Sequence, residues 1–192
     1  MKITKVILGE QAKLALVFPV AQYSGFTFNK KFNTNGNAAI FYGNDTQLIK
    51  LEKIKYRFRK NPVKWTLREL VKKTFFINMS MAREARNYRI VQKLGFKTPK
   101  LYAWGVFIGP HHEYTSFLII DKLIDHVTLK SLTTSDSTDD KRLGEQALYQ
   151  LNEQLNKLQQ HGYTHRDFHL DNFMVCLKTH NIIWLDIQLK KT

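Results

Sequence analysis

Apolar positions along this 192-residue chain recur at two different periods, and the switches between them mark out its elements. Segments 26–32 and 38–42 read as strands around Asn33-Thr34-Asn35-Gly36-Asn37, a hairpin signal. Gly43-Asn44-Asp45 is a second turn, leading into a strand over 46–51, so three antiparallel strands are predicted in succession. From 78 to 94 the period becomes helical: Ala82, Ala85, Tyr88, Val91 and Leu94 form one stripe, which Gly95 and then Thr98-Pro99 bring to an end. Strands are predicted at 101–107 and 115–121, separated by Gly109-Pro110-His111-His112. The polar stretch 133–140 reads as a loop with capping residues. It opens a helix over 141–160 with Ala147, Leu148, Leu151, Leu155 and Leu158 inward. Strands near 173–177 and 181–186 flank Lys178-Thr179-His180. A strand-rich half with one helix, followed by helix, loop and hairpin, predicts an α+β fold in two lobes, 1–121 and 122–192.

Composition supports a folded chain, with 43% hydrophobic and 12% aromatic residues. The formal net charge of +14, from 30 Lys and Arg against 16 Asp and Glu, favours an anionic partner: nucleic acid, an acidic membrane surface or a phosphorylated substrate. The excess concentrates in 53–73, with nine basic residues against Glu69. Val63, Leu67, Leu70 and Val71 follow a helical period there. The segment reads either as an amphipathic helix with a solvated basic face or as a surface for anionic headgroups. No stretch approaches the roughly 18–20 apolar residues of a membrane span, and Gly9-Glu10-Gln11 interrupts any signal-peptide core. Cys176 is the single cysteine. It excludes an intramolecular disulfide, suggests a reducing compartment, and reads as a small core residue within 173–177.

The densest chemistry lies at Thr164-His165-Arg166-Asp167-Phe168-His169-Leu170-Asp171-Asn172-Phe173. Phosphoryl transfer from ATP needs a carboxylate beside the attacking hydroxyl and oxygen ligands for Mg²⁺ on the phosphates. His165-Arg166-Asp167, Asn172 five residues after the Asp, and Asp186 fourteen residues later resemble the catalytic loop and metal-binding Asp of kinase-like folds. The interleaving of His165 and His169 with Asp167 and Asp171 also allows a transition-metal site. Two His four apart share a face only on a helix, and this stretch has no apolar period of its own; His165 reads as packed inside and bonded to backbone. If the loop is catalytic, a strand Lys and a helix Glu are needed upstream. Lys50 in Leu48-Ile49-Lys50-Leu51 and Glu84 early in the 78–94 helix fit that order.

Arg83-Glu84-Ala85-Arg86-Asn87-Tyr88, Leu94-Gly95-Phe96-Lys97-Thr98-Pro99 and Ala103-Trp104-Gly105 resemble the bacterial lipopolysaccharide core kinases of the Kdo/heptose kinase family. Ser116-Phe117-Leu118-Ile119-Ile120 and the loop His165-Arg166-Asp167 with Asn172-Phe173 do so as well. The likeness covers about residues 38–186. It implies a protein-kinase-like fold: an antiparallel N-lobe sheet with one helix, then a short, apparently truncated helical C-lobe. It implies ATP and Mg²⁺ as cofactors, Lys50 and Glu84 as the ATP ion pair, Asp167 as catalytic base, and Asn172 and Asp186 as Mg²⁺ ligands. The implied substrate is an inner-core sugar, heptose or Kdo, on a lipid A-linked acceptor at the cytoplasmic face of the inner membrane, with peripheral contact to that anionic surface.

Gly36 stands alone where many kinases have a Gly-rich phosphate loop, and Asp186-Ile187-Gln188 replaces Asp-Phe-Gly. Six residues follow Asp186, and the loop is expected to lack the support of an activation segment and later helices. The 141–160 helix and the hairpin are therefore expected to expose apolar surface, and the chain to self-associate and transfer weakly. Competing readings are another small atypical kinase, of the aminoglycoside type or the type accompanying tRNA threonylcarbamoylation, and a pseudokinase that binds nucleotide without turnover. Nucleic acid is not the expected partner: the basic residues sit before the helix, and no Gly-Asp stands in place of Arg166-Asp167.

Overall fold

A computed structural model describes residues 1–22, 25–32, 39–53, 60–64, 66–67, 79–108 and 114–192. The chain divides into two compact units, Met1–Ala85 with Lys100–Lys122, and Arg86–Pro99 with Leu123–Thr192. The sequence-based division kept the whole 78–94 helix in the first half. In the structure its second half belongs with the second unit, for a reason visible in packing. Beyond that helix, Phe96 stacks on Trp184 at 5.2 Å between ring centroids, and the Trp184 amide donates to the Lys97 carbonyl at 2.9 Å.

The first unit is built on eight strands: β1 (Lys2–Leu8), β2 (Gln11–Pro19), β3 (Thr27–Phe28), β4 (Lys30–Phe32), β5 (Ala39–Gly43), β6 (Gln47–Lys53), β7 (Leu101–Phe107) and β8 (Tyr114–Asp121). They form one sheet in the order β3-β1-β2-β7-β8-β6-β5-β4. The β4–β5–β6 meander and the β7–β8 hairpin are those the alternation predicts. Residues 33–38, which carry the predicted turn and Gly36, lie outside the described residues. The expected strand over 26–32 is instead two pieces: Thr27 and Phe28 pair in parallel with β1, and Lys30–Phe32 pair with β5.

The β1–β2 hairpin was not expected. It closes through Gly9 at φ +61, a conformation that glycine adopts without steric cost. Its apolar runs lack clean alternation, since apolar residues also stand on the outer side, where Ile3 and Leu14 are exposed. Ala15 and Val17 enter the core, while Leu16 on the other side packs with Trp104, Met79, Ala82 and Val106. Burial of Val6, Phe28, Ile49, Leu51, Phe107 and Phe117 closes the core. Gly105 is required beneath the Phe117 ring, since a Cβ there would also meet the Leu16 carbonyl at 2.6 Å.

Helix α1 (Ser80–Lys93) buries Ala82, Ala85, Tyr88 and Val91, the stripe read from its period. Gly95 ends it at φ +85. In the second unit, β9 (His126–Thr128) leads into α2 (Leu129–Thr133) and α3 (Thr138–Gln160). Ser137 caps α3 by accepting the Asp140 amide, and Asp139 and Asp140 oppose the positive end of its dipole. Strands β10 (Tyr163–His165), β11 (Phe173–Cys176), β12 (Ile182–Trp184) and β13 (Leu189–Lys191) follow, with a 3-10 turn at Leu170–Asn172. β11 lies between β12 and β9, and β10 pairs with β13.

Two expectations fail here, the second in part. Cys176 is half-buried, not a core residue: Phe173 and Val175 point inward from β11, and alternation turns Cys176 the other way. Its thiol is held below the usual range chiefly by the Thr179 hydroxyl and nearby backbone amides. The apolar surface predicted for the hairpin and the 141–160 helix is present at Leu177 of the hairpin, 45% exposed, but small on the helix. Gly144, Ala147, Leu151 and Leu158 are buried, and the large exposed apolar side chain on α3 is Tyr149 alone among the described residues. The outward positions are mostly Gln, Asn, Glu and Lys, so the helix presents a solvated face. Of the basic segment 53–73, most residues lie outside the description. Residues 62–64 and 66–67 are helical, and Val63 and Leu67 are 69% and 63% exposed.

Candidate active site

The first unit supplies a buried ion pair. Lys50 stands on β6 between Phe41 of β5 and Leu118 of β8. Its neighbours Ile49 and Leu51 turn to the opposite side and are fully buried, so strand alternation sends Lys50 toward α1. There its Nζ donates to both Glu84 carboxylate oxygens, at 3.0 and 2.9 Å. Both residues are 6% exposed. Two charges withdrawn from water at this depth gain little net stability, because desolvation offsets most of the attraction. Such a pair is better explained by what it can bind than by what it holds together.

The second unit carries the loop. Asp167 is half-exposed, and its two oxygens have different partners. His169 Nε2 lies 3.0 Å from Oδ1, and Gln188 Nε2 donates to Oδ2 at 3.5 Å. The Asn172 side-chain Nδ2 donates to the Asp167 main-chain carbonyl at 2.9 Å, which turns the amide oxygen away from that bond. The Leu185 amide donates to the Asn172 carbonyl at 2.7 Å, and Phe173 pairs with Trp184 across β11 and β12. Asn172 and the segment carrying Asp186 are thus brought to the same end of one hairpin. Asp186 has φ +44, an uncommon conformation for a residue with a side chain.

The interleaved His and Asp residues separate into distinct roles. His165 turns inward against Phe173 and Trp184, and its Nε2 accepts the Gln188 amide at 3.5 Å. Burial, above all, holds its imidazole below the ordinary range, against the pull of Asp167 and Asp186. His169 serves Asp167, and Asp171 pairs with Lys130 of α2 at 3.0 Å on the surface. No group of three or more His, Cys, Asp or Glu placed to hold a metal ion occurs among the described residues. The oxygen donors of Asn172 and Asp186 suit a hard cation such as Mg²⁺, which takes one or two protein ligands and completes its shell with phosphate and water. Sequence reasoning missed His169 and Gln188 as partners of Asp167. The spacing of His169 was visible, but its direction was not.

Comparison with known proteins bears on these elements together. Residues 42–192 match the model of the lipopolysaccharide kinase (Kdo/WaaP) family. Among solved structures, one titled "WaaP in complex with acyl carrier protein" matches at 14% identity with a TM-score of 0.52, over 85% of this chain and 62% of that one. Vaccinia related kinase 3 matches at 15% identity and TM-score 0.46, over 95% of this chain and 50% of its own. The PknI kinase domain of Mycobacterium tuberculosis matches at 15% and 0.44, over 87% and 61%. The chain therefore spans less than two thirds of the WaaP chain it resembles. The likeness to WaaP shows a protein-kinase-like α+β fold. No curated protein matches the chain.

Proposed function

This chain belongs to the lipopolysaccharide kinase (Kdo/WaaP) family, and from that premise we propose that it phosphorylates a hydroxyl of an inner-core sugar, heptose or Kdo, using ATP. The observation that carries the reading is the buried Lys50–Glu84 pair, a cation fixed at 2.9 Å from its carboxylate partner. In this reading Lys50 neutralises the α and β phosphates, and Glu84 keeps its ammonium in place. Asp167 orients the acceptor hydroxyl and takes its proton as the bond to the γ-phosphorus forms and the bond from that phosphorus to the β,γ-bridging oxygen breaks, releasing ADP. Asn172 and Asp186 would hold Mg²⁺, which would supply charge compensation for the phosphate oxygens. The reaction is then an in-line displacement in which the residues position and neutralise without forming a covalent intermediate.

We place the reaction at the cytoplasmic face of the inner membrane, with peripheral attachment. The +14 charge and the exposed Lys60 and Lys64 beside exposed Val63 and Leu67 support attraction to anionic headgroups. No helix among the described residues is long and apolar enough to cross a membrane. Acyl carrier protein, absent from the sequence-based expectations, is carried as a proposed partner on the strength of the WaaP complex alone. Co-purification at fixed stoichiometry tests it.

The direct experiment is phosphate transfer from ATP to purified, deacylated core oligosaccharide lacking the phosphate, read by mass, with Asp167→Asn alongside. A mass gain of one phosphate on a heptose or Kdo, lost in the variant, is the expected result. Nucleotide binding with no transfer to this acceptor overturns the reading in favour of a pseudokinase. Transfer to an aminoglycoside or a tRNA-processing partner instead would move the chain to another small-kinase class.

A further inference from the structure

The turn Asp186-Ile187-Gln188 is held by a buried amide far away in sequence. Asn87 lies on α1 and is 6% exposed. Its Nδ2 donates to the Ile187 carbonyl at 2.8 Å. Ile187 is itself fully buried, and Asp186 before it adopts φ +44. After it, the Gln188 carbonyl accepts the Arg166 amide at 2.7 Å.

Packing alone does not call for an amide at position 87. The buried positions that follow it on α1, Tyr88 and Val91, are filled by aromatic and apolar groups, and an amide is costly to bury unless it is hydrogen-bonded. A buried polar side chain is retained with a partner, and here the donor is aimed at one carbonyl. That carbonyl belongs to the peptide joining Ile187 to Gln188. Fixing it fixes the turn from which Asp186 projects, in a left-handed conformation that persists only where surroundings over-determine it.

Resting on the reading of Asp186 as a Mg²⁺ ligand, we propose that Asn87 is a positioning residue that holds the Asp186 turn in its metal-binding conformation. Groups that orient a metal ligand without touching the metal typically change affinity by about 10–100-fold when removed. Asn87 acts through one hydrogen bond to backbone, so the lower end of that range applies.

The test uses the full chain with ADP, which cannot be consumed, and follows Mg²⁺ titration by calorimetry in wild type, Asn87→Leu, Asn87→Gln and Asp186→Ala. Hydrogen exchange at the Ile187 and Gln188 amides is measured in parallel. Asn87→Leu is expected to raise the Mg²⁺ requirement about tenfold, leave metal-free ADP affinity unchanged and speed exchange at both amides. Asn87→Gln, which keeps the donor on a longer arm, should recover part of each. If Asn87→Leu does not fold, Asn87→Ser, whose hydroxyl cannot reach the carbonyl, is read in the same way. A lower melting temperature with an unchanged Mg²⁺ requirement in the folded variant, while Asp186→Ala is impaired, overturns the proposal and leaves Asn87 a structural role. An unchanged requirement in Asp186→Ala removes the metal-ligand reading, and the proposal with it.

Discussion

The Lys50–Glu84 pair and the Asp167 carboxylate are two ways of keeping a charge ready. The first is sealed: both partners are almost wholly buried and meet through two bonds of about 3 Å. The second is open. Asp167 is 44% exposed in its side chain, against 68% for its partner His169, and its other oxygen meets Gln188 only at 3.5 Å. Water screens the exposed contact and weakens it, so Asp167 is steered lightly and stays accessible to an incoming hydroxyl. A buried pair cannot be lightly steered, since removing one partner of a buried charge is strongly destabilising. On the proposed reading, strong placement belongs to the group that stays put, and loose placement to the group that exchanges a proton.

The largest effect should come from the open group. Asp167→Asn removes the proton acceptor but keeps the shape of the side chain, and general-base removal costs about 10²–10⁴-fold in rate. Nucleotide affinity, measured by fluorescent ATP-analogue displacement, should hardly move. Retention of a tenth or more of wild-type turnover would take Asp167 out of this role.

Next in size is the sealed pair. Lys50→Met removes the cation that both Glu84 carboxylate oxygens accept from, and breaking a buried pair typically costs about 3–5 kcal/mol of stability, readable from urea denaturation. The double variant Lys50→Met/Glu84→Leu should recover most of that stability without recovering nucleotide affinity. If the double variant regained both, the pair would be a structural feature and the contrast drawn above would collapse.

Smaller effects separate the two contacts on Asp167. Gln188→Gly and His169→Ala should each lower kcat several-fold with little change in the KM for ATP, because they orient the base without binding nucleotide. The His169 variant should lose more, its contact being shorter by half an ångström. Equal losses in KM and kcat would point to a wider disturbance of the loop.

The smallest effect is a stability slope with pH. Burial depresses the His165 imidazole below its ordinary value of 6.5, so the unfolded chain binds the proton more readily than the folded one. Stability from this residue is complete above that value and is lost as pH falls below it, toward the folded-state pKa. The urea midpoint should therefore drop between about pH 7.5 and pH 5.5, and less steeply in His165→Gln. A slope identical in the two proteins would remove His165 as its source.

Much of this molecule was legible in one dimension. The stripe of α1 and the inward residues of α3 follow from helical period, because a helix that buries one side must repeat its apolar residues every three or four positions. Lys50 and Glu84 were singled out because phosphoryl transfer restricts residue type at each station, and the structure brings those two together; Asp167, Asn172 and Asp186 were proposed on the same ground. The β1–β2 hairpin was not legible, since apolar residues such as Ile3 and Leu14 stand on its exposed side and blur the alternation. Nor was the half-exposed Cys176, whose apolar neighbours concealed which way alternation would turn it.

What the sequence determined by itself was therefore the kinds of groups available and the local elements that carry them. Only tertiary structure decided their directions and distant partners. It set Lys50 against Glu84, thirty-four residues on, put His169 on Asp167, and brought Asn87 to the Ile187 carbonyl across a hundred residues. Local propensity and period act over a few bonds and leave a mark in the residues themselves. A long-range hydrogen bond depends on where two segments meet after the core has closed, and an Asn that makes one reads the same in sequence as an Asn that does not.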